Sequence, residues 1–184
     1  KFTNSSNYHM DDLKENGSVA DYLTALKSSP RLGQQVVHHE KLAAHPAVFG
    51  KNRIGWPLAL EEALKEMGID ALYQHQASAT DAVRRGENVI VSTPTASGKS
   101  LIYNLPVFEQ IMRAPDSTAL CRSPVQALAQ DQLRAIQELA SMLPEELVPS
   151  AAIYDGDTTA YKRKKLRDRP PNILISNPDM LHLS

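Results

Sequence analysis

The sequence predicts an α/β fold built on a doubly wound parallel sheet, and three observations predict it. Short apolar, β-rich runs at 89–91, 118–122, 151–154 and 172–176 alternate with longer stretches whose apolar residues recur every three or four positions. Each run ends in small or polar residues: Ser92 to Gly98, Ser123-Pro124, Asp155-Gly156-Asp157 and Asn177-Pro178-Asp179. One of these ends carries Gly98-Lys99-Ser100 directly before a helical stretch. Alternating strands and helices favour a parallel sheet. Ligands of such sheets gather at the carboxyl ends of the strands, where this punctuation falls.

Residues 1–17 are polar, rich in Asn, Ser and Asp, and are expected to be poorly ordered. Ser18 stands three residues before Asp21, a capping-box start for a helix over 19–27 with Val19, Tyr22, Leu23 and Leu26 on one face. Ser29-Pro30 ends it. A short strand is expected at 36–40. There His38 and His39 would point to opposite faces and so would not share a metal ion. Trp56-Pro57 opens the next helix, with Leu60, Leu64 and Met67 inward and Gly68 as its stop. Residues 72–85 read as a further helix closed by Gly86, and 89–91 as a buried strand. Helices follow at 101–113, kinked at Pro106, and at 127–142. A basic segment at 161–169 precedes the last strand. The organisation expected is an N-terminal extension, 1–55, and a domain, 56–184, incomplete at its C-terminus.

The 184 residues suit one domain with an extension, and a hydrophobic content of 42% is enough for a core. A net charge of −1 excludes a globally basic nucleic-acid binder, so any such contact must be local. A lone Cys121 excludes a disulfide framework or a cysteine zinc site. No apolar run reaches the length of a membrane span, and the N-terminus lacks the layout of a signal peptide. The expectation is a soluble, cytoplasmic chain (nuclear in a eukaryote). It begins at Lys1 rather than Met, and both ends read as cut.

The stretch from Asn88 to Ser100 has the order a phosphate-binding loop needs: strand, small-residue loop, Gly-Lys-Ser, helix. Loop N–H groups and the positive end of the following helix together favour a polyphosphate. Lys99 would reach the β- and γ-phosphates of the nucleotide, and the Ser100 hydroxyl would hold Mg²⁺. Thr93 stands where the first Gly of the motif is usual, and its side chain narrows the loop conformations available.

Taken together, Leu72-Tyr73-Gln74-His75-Gln76, T-P-T-A-S-G-K-S, S-P-V-Q-A-L-A-Q-D-Q, Y-D-G-D-T and S-N-P-D-M-L resemble, in this order, the first motor domain of superfamily 2 helicases. Their wording is closest to the DExH-box branch containing the MrfA/Hrq-type helicases, and the resemblance runs from about Trp56 to His182. It implies a RecA-like phosphate-loop NTPase domain with ATP and Mg²⁺ as cofactors. Nucleotide contacts are implied from Tyr73, Gln76, Thr95, Ala96, Ser97, Gly98, Lys99, Ser100 and Leu101. The Gln76 amide, a donor and an acceptor at once, suits the edge of adenine, and Tyr73 would stack on the base. Single-stranded DNA, or RNA, would lie against Ser123, Pro124, Gln126, Gln130, Gly156, Asn177 and Pro178, through its backbone rather than its bases.

Gln126 stands where that family usually has Lys or Arg, and Cys121-Arg122-Ser123 replaces its usual apolar-aromatic wording. Arg122 or the cations of 162–169 would compensate, although a charge run also reads as a solvated helix face. The acidic box and the second motor domain of that family would lie beyond Ser184. The resemblance therefore implies the front part of an ATP-dependent DNA helicase, inactive by itself. A double-stranded DNA translocase and a non-catalytic nucleic-acid-binding remnant are the alternative readings.

Overall fold

A computed structural model describes residues 18–44 and 46–182, so the expectation for residues 1–17 lies outside the described residues. The chain divides into two compact units at Pro46/Ala47.

In the first unit, α1 (Val19–Ser28) starts at a reciprocal cap. The Asp21 N–H donates to Ser18 Oγ at 3.2 Å, and the Ser18 N–H donates to Asp21 Oδ2 at 2.9 Å. A 3₁₀ turn follows at Gly33–Gln35. The strand expected at 36–40 does not form. No described segment pairs with these residues, and Val37 is 93% exposed. A strand without a ladder partner loses its hydrogen bonds to water. His39 Nδ1 instead accepts from Lys27 Nζ at 2.9 Å, and His38 lies 3.8 Å from Glu40.

The second unit contains β1 (Phe49–Gly50), α2 (Leu58–Glu66), β2 (Leu72–Tyr73), α3 (Gln74–Arg84), α4 (Lys99–Arg113) and β3 (Ala119–Arg122). After these come α5 (Gln126–Ser141), β4 (Ala151–Tyr154), α6 (Ala160–Asp168), β5 (Ile173–Ser176) and α7 (Pro178–His182). The expected parallel sheet is present in the order β3-β5-β4, with Arg122, Ser176 and Tyr154 in register at its carboxyl end. Helices α4 and α5 bury Leu105, Phe108, Ile136 and Leu139 in one core with Ile173 and Ile175 of β5 and Leu60 of α2. Pro106 sits inside α4, which continues through it. Among the described residues no helix is long and apolar enough to cross a membrane.

Two local features differ from expectation. Residues 72 and 73 belong to a strand, not a helix: β2 pairs antiparallel with β1, Phe49 opposite Tyr73. A two-residue ladder is too short to leave a period-2 pattern. Gly50 is needed there, since a Cβ would lie 2.9 Å from Gln74 Cα. The second difference is at 89–91, which pair with no described strand and leave Ile90 98% exposed. The β-branched composition is present, but no neighbouring strand covers it.

Residues 47–55, grouped above with the extension, pack in the second unit through a polar network. Asn52 Nδ2 donates to Ala77 O, Thr80 Oγ1 and Asp81 Oδ1 at 3.1, 2.8 and 2.8 Å, and its Oδ1 accepts from Trp56 Nε1 at 3.2 Å. The Arg84 guanidinium lies 3.5 Å from the Trp56 ring centroid and pairs bidentately with buried Glu109, at 2.7 and 2.8 Å. Glu109 also accepts from Arg113 at 2.7 Å. This network joins α3 to α4, the two helices whose N-termini meet at the loop.

Candidate nucleotide loop and strand-end surface

The loop between 92 and 98 is held by its neighbours on both sides. Gly98, at φ 71°, is the N-cap of α4. The positive φ favours glycine at 98, and a Cβ there would also displace Nε2 of Gln76 from its contact with the loop. Ala96 takes φ 59°. The departure at Thr93 has a local reason: its hydroxyl pairs with Ser97 Oγ at 2.7 Å, closing the loop across its mouth.

From the α3 side, Gln76 Nε2 donates to Gly98 O at 2.9 Å and His75 Nε2 donates to Ser97 O at 3.0 Å. The C=O and N–H of a trans peptide point opposite ways. Drawing these two carbonyls toward α3 therefore turns the N–H groups of Gly98 and Lys99 to the other side of the loop. Lys99 Nζ folds back, donating to Thr93 O at 2.9 Å, Pro94 O at 2.6 Å and Ser97 Oγ at 3.3 Å. Ser100 is half-buried in the first turn of α4, and its hydroxyl makes no hydrogen bond among the described residues. Thr95 is exposed and Leu101 packs against the core.

Gln76 does not present its amide outward, as an adenine reader would. It is 2% exposed, and its Oε1 accepts from the Tyr73 N–H at 2.8 Å while its Nε2 holds Gly98. In this structure the amide contacts the loop. Two exposed aromatic rings, Phe49 and Tyr73, stack with half-buried His75. Phe49 stacks on Tyr73 at 5.4 Å between centroids, and Tyr73 on His75 at 5.8 Å. Sequence reasoning found Tyr73 but missed Phe49, because the β1–β2 ladder that aligns the two joins residues far apart in sequence; His75 stood in the stretch already quoted, two residues from Tyr73, and its stacking was the signal overlooked.

The register of the parallel sheet brings the strand-end residues to one edge. The Ser123 N–H donates to Ser176 O at 2.8 Å, and Ser176 Oγ donates to Tyr154 O at 2.8 Å, tying the ends of β3, β5 and β4 together. Asn177 Oδ1 accepts from the Met180 N–H at 2.7 Å and so starts α7 behind the exposed Pro178. Gly156 sits at the tip of a turn closed by Thr158 Oγ1, which accepts from the Asp155 N–H and donates to Asp155 Oδ1, each at 2.9 Å. Gln126 Nε2 donates to Asp157 Oδ2 at 2.6 Å, linking the start of α5 to this turn. Pro124 and Gln130 are exposed, Gln130 one turn further along α5. Burial raises the pKa of the Cys121 thiol, against the opposing effect of a hydrogen bond with Gln132. Cys121 is half-buried and packs against the core.

A family model described as DEAD/DEAH box helicase matches residues 73–184. YprA of Bacillus subtilis, an uncharacterized ATP-dependent helicase, is 44% identical over 123 residues, 67% of this chain and 16% of that protein. ATP-dependent helicase HRQ1 of Saccharomyces cerevisiae is 35% identical over 167 residues, 91% of this chain and 15% of that one. Among solved structures, the DUF1998 helicase MrfA bound to DNA and AMPPNP matches with a TM-score of 0.77 at 36% identity, over 90% of this chain and 22% of that one. The chain thus spans about a sixth of the length of these curated relatives.

Proposed function

The chain belongs to the DEAD/DEAH box helicase family, in the MrfA/Hrq-type branch, and from that premise we propose that it forms the nucleotide-gripping front part of an ATP-driven motor that moves along DNA and unwinds it. The observation that carries this reading is the loop itself. Its carbonyls are drawn outward by His75 and Gln76, and its lysine is folded onto it. The N–H groups of Gly98 and Lys99 then face the space into which a polyphosphate fits. Lys99 exchanges its contacts with Thr93, Pro94 and Ser97 for β- and γ-phosphate oxygens. The Phe49–Tyr73–His75 stack offers an apolar face for the adenine ring.

The residues present also fit a magnesium ion. One free hydroxyl, Ser100, stands beside the phosphate site, and Mg²⁺ takes few protein ligands, keeping waters and phosphate oxygens for the rest. When bound it neutralises charge on the transferred phosphoryl group. Ser100 supplies one oxygen and orients the phosphates.

Pro124, Gln126, Gln130, Gly156, Asn177 and Pro178 form the strand-end surface on which a single strand of DNA, or the chemically similar RNA, rests through its phosphates, while Ser123, 4% exposed and donating its N–H to Ser176 O, ties the strand ends together beneath it. ATP and nucleic acid as ligands support a location inside the cell.

In the full-length protein, Lys99→Ala is expected to abolish most ATP affinity and DNA-stimulated ATP turnover, measured with a fluorescent nucleotide and a phosphate-release assay. Unaltered hydrolysis in that variant would overturn the loop assignment. ATP turnover on duplex DNA without release of a strand would replace unwinding with translocation.

A further inference from the structure

The outer face of α6 carries charge that the fold does not use. Lys162, Arg163, Lys164, Lys165, Arg167 and Arg169 stand against Asp168 in a chain whose net charge is only −1. Arg163 alone among these is committed. Its guanidinium donates to Thr158 O, Asp155 O and Gly156 O at 2.8, 3.3 and 3.0 Å, and lies 5.7 Å from the Tyr154 ring centroid. The remaining cations are exposed, and none makes an ion pair among the described residues.

Packing does not account for this helix. None of its residues is buried, and only Arg163 and Leu166 are even half-buried. Its charges also oppose it. Lys162 and Lys165, Arg163 and Arg167, Lys164 and Arg167, and Lys165 and Arg169 stand three or four positions apart, where like charges repel. An anion laid along the face removes that repulsion. The helix is also anchored at a particular place: Arg163 fastens it to the Gly156 turn, and Gln126 fastens the same turn to the start of α5. Tyr161, 81% exposed and three and four positions before Lys164 and Lys165, adds an aromatic face beside the cations.

We propose that Lys162, Lys164 and Lys165, with Tyr161, continue the strand-end surface and bind the phosphate backbone of single-stranded DNA beyond the Gly156 turn. The proposal rests on the strand-end reading above. Such a face tracks phosphates and stacks on any base without reading sequence. It also supplies, from a different element, the positive charge that Gln126 does not.

The test uses the full-length protein and labelled single-stranded DNA of homopolymeric and mixed sequence, with affinity measured by fluorescence anisotropy across a salt series. The variant combines Lys162→Gln, Lys164→Gln and Lys165→Gln. Expected are weaker binding to every sequence by a similar factor and a plot of log affinity against log salt shallower by about 0.7 per lost phosphate contact. Affinity for a fluorescent ATP analogue is expected to stay unchanged. The corresponding Lys→Arg variant should keep the parent slope, which separates charge from folding. A parent that binds DNA while the glutamine variant keeps its slope would overturn this proposal alone. Weakening confined to one sequence would also overturn it. A parent with no affinity for DNA would overturn it together with the strand-end reading.

Discussion

Ala96 holds φ 59° in the middle of the loop before α4, a conformation that costs an L-residue roughly 1–2 kcal/mol. Ala96→Gly removes that strain and adds unfolded-chain entropy of about 0.4–1 kcal/mol. A net gain of about 0.5–1 kcal/mol is expected in urea unfolding, and a loss would show that the loop is unstrained. Gly98 presents the opposite case. Gly98→Ala places a Cβ against Gln76 Nε2 at a positive φ and is expected to cost about 1–3 kcal/mol. In a Gln76→Ala background the cost should fall by at least about 0.5 kcal/mol, because the two changes share one contact. Additive effects in that cycle would mean that the Gln76–Gly98 contact contributes nothing to the loop.

At the scale of elements, the position of α3 against α4 depends on a buried charge. Glu109 is 3% exposed and is held by Arg84 and Arg113. Arg84→Ala leaves that carboxylate short of its inner partner and removes the cation over Trp56. A loss of about 3–5 kcal/mol is expected in thermal or urea unfolding, as for other broken buried pairs. A loss below about 1 kcal/mol, typical of exposed pairs, would place the network among ornaments of the surface. Asp81 belongs to the same assembly. Burial raises its pKa, but hydrogen bonds from Asn52 and the Arg53 N–H, with the charges of Arg84 and Arg53, outweigh burial and hold it below the ordinary 3.8. A carboxylate with a depressed folded pKa adds stability above its unfolded value, and that stability is lost as pH falls through the folded value. Stability should therefore decline below about pH 4, and less steeply in Asp81→Asn. Equal slopes would remove Asp81 from the account.

At the scale of the whole molecule, apolar edges stand open. Ile90, in a stretch that forms no strand, is 98% exposed, and Leu120 on the edge strand β3 is 55% exposed; exposed apolar side chains and a bare strand edge invite pairing between chains. The 184 residues alone are expected to self-associate with rising concentration in light scattering, and Ile90→Lys with Leu120→Lys should suppress it. They are also expected to turn over no ATP at a useful rate, because these residues contain no D-E-x-H box to complete the proposed metal site and orient water. Turnover equal to that of an intact helicase would sink this account. By itself the sequence determined the α/β class, the parallel strands at 119–122, 151–154 and 173–176, the family, and the place of the small-residue loop before α4. Those features follow from local periodicity and from residues adjacent in the chain. Tertiary structure decided the rest. It turned Gln76 inward to the loop, aligned Phe49 with Tyr73, joined Trp56 to Arg84 and Glu109, and left 36–40 and 89–91 without strand partners. Each of these depends on which distant segment arrives alongside, since a ladder, a stack or a buried ion pair needs both its members, and one residue type shows only half of it.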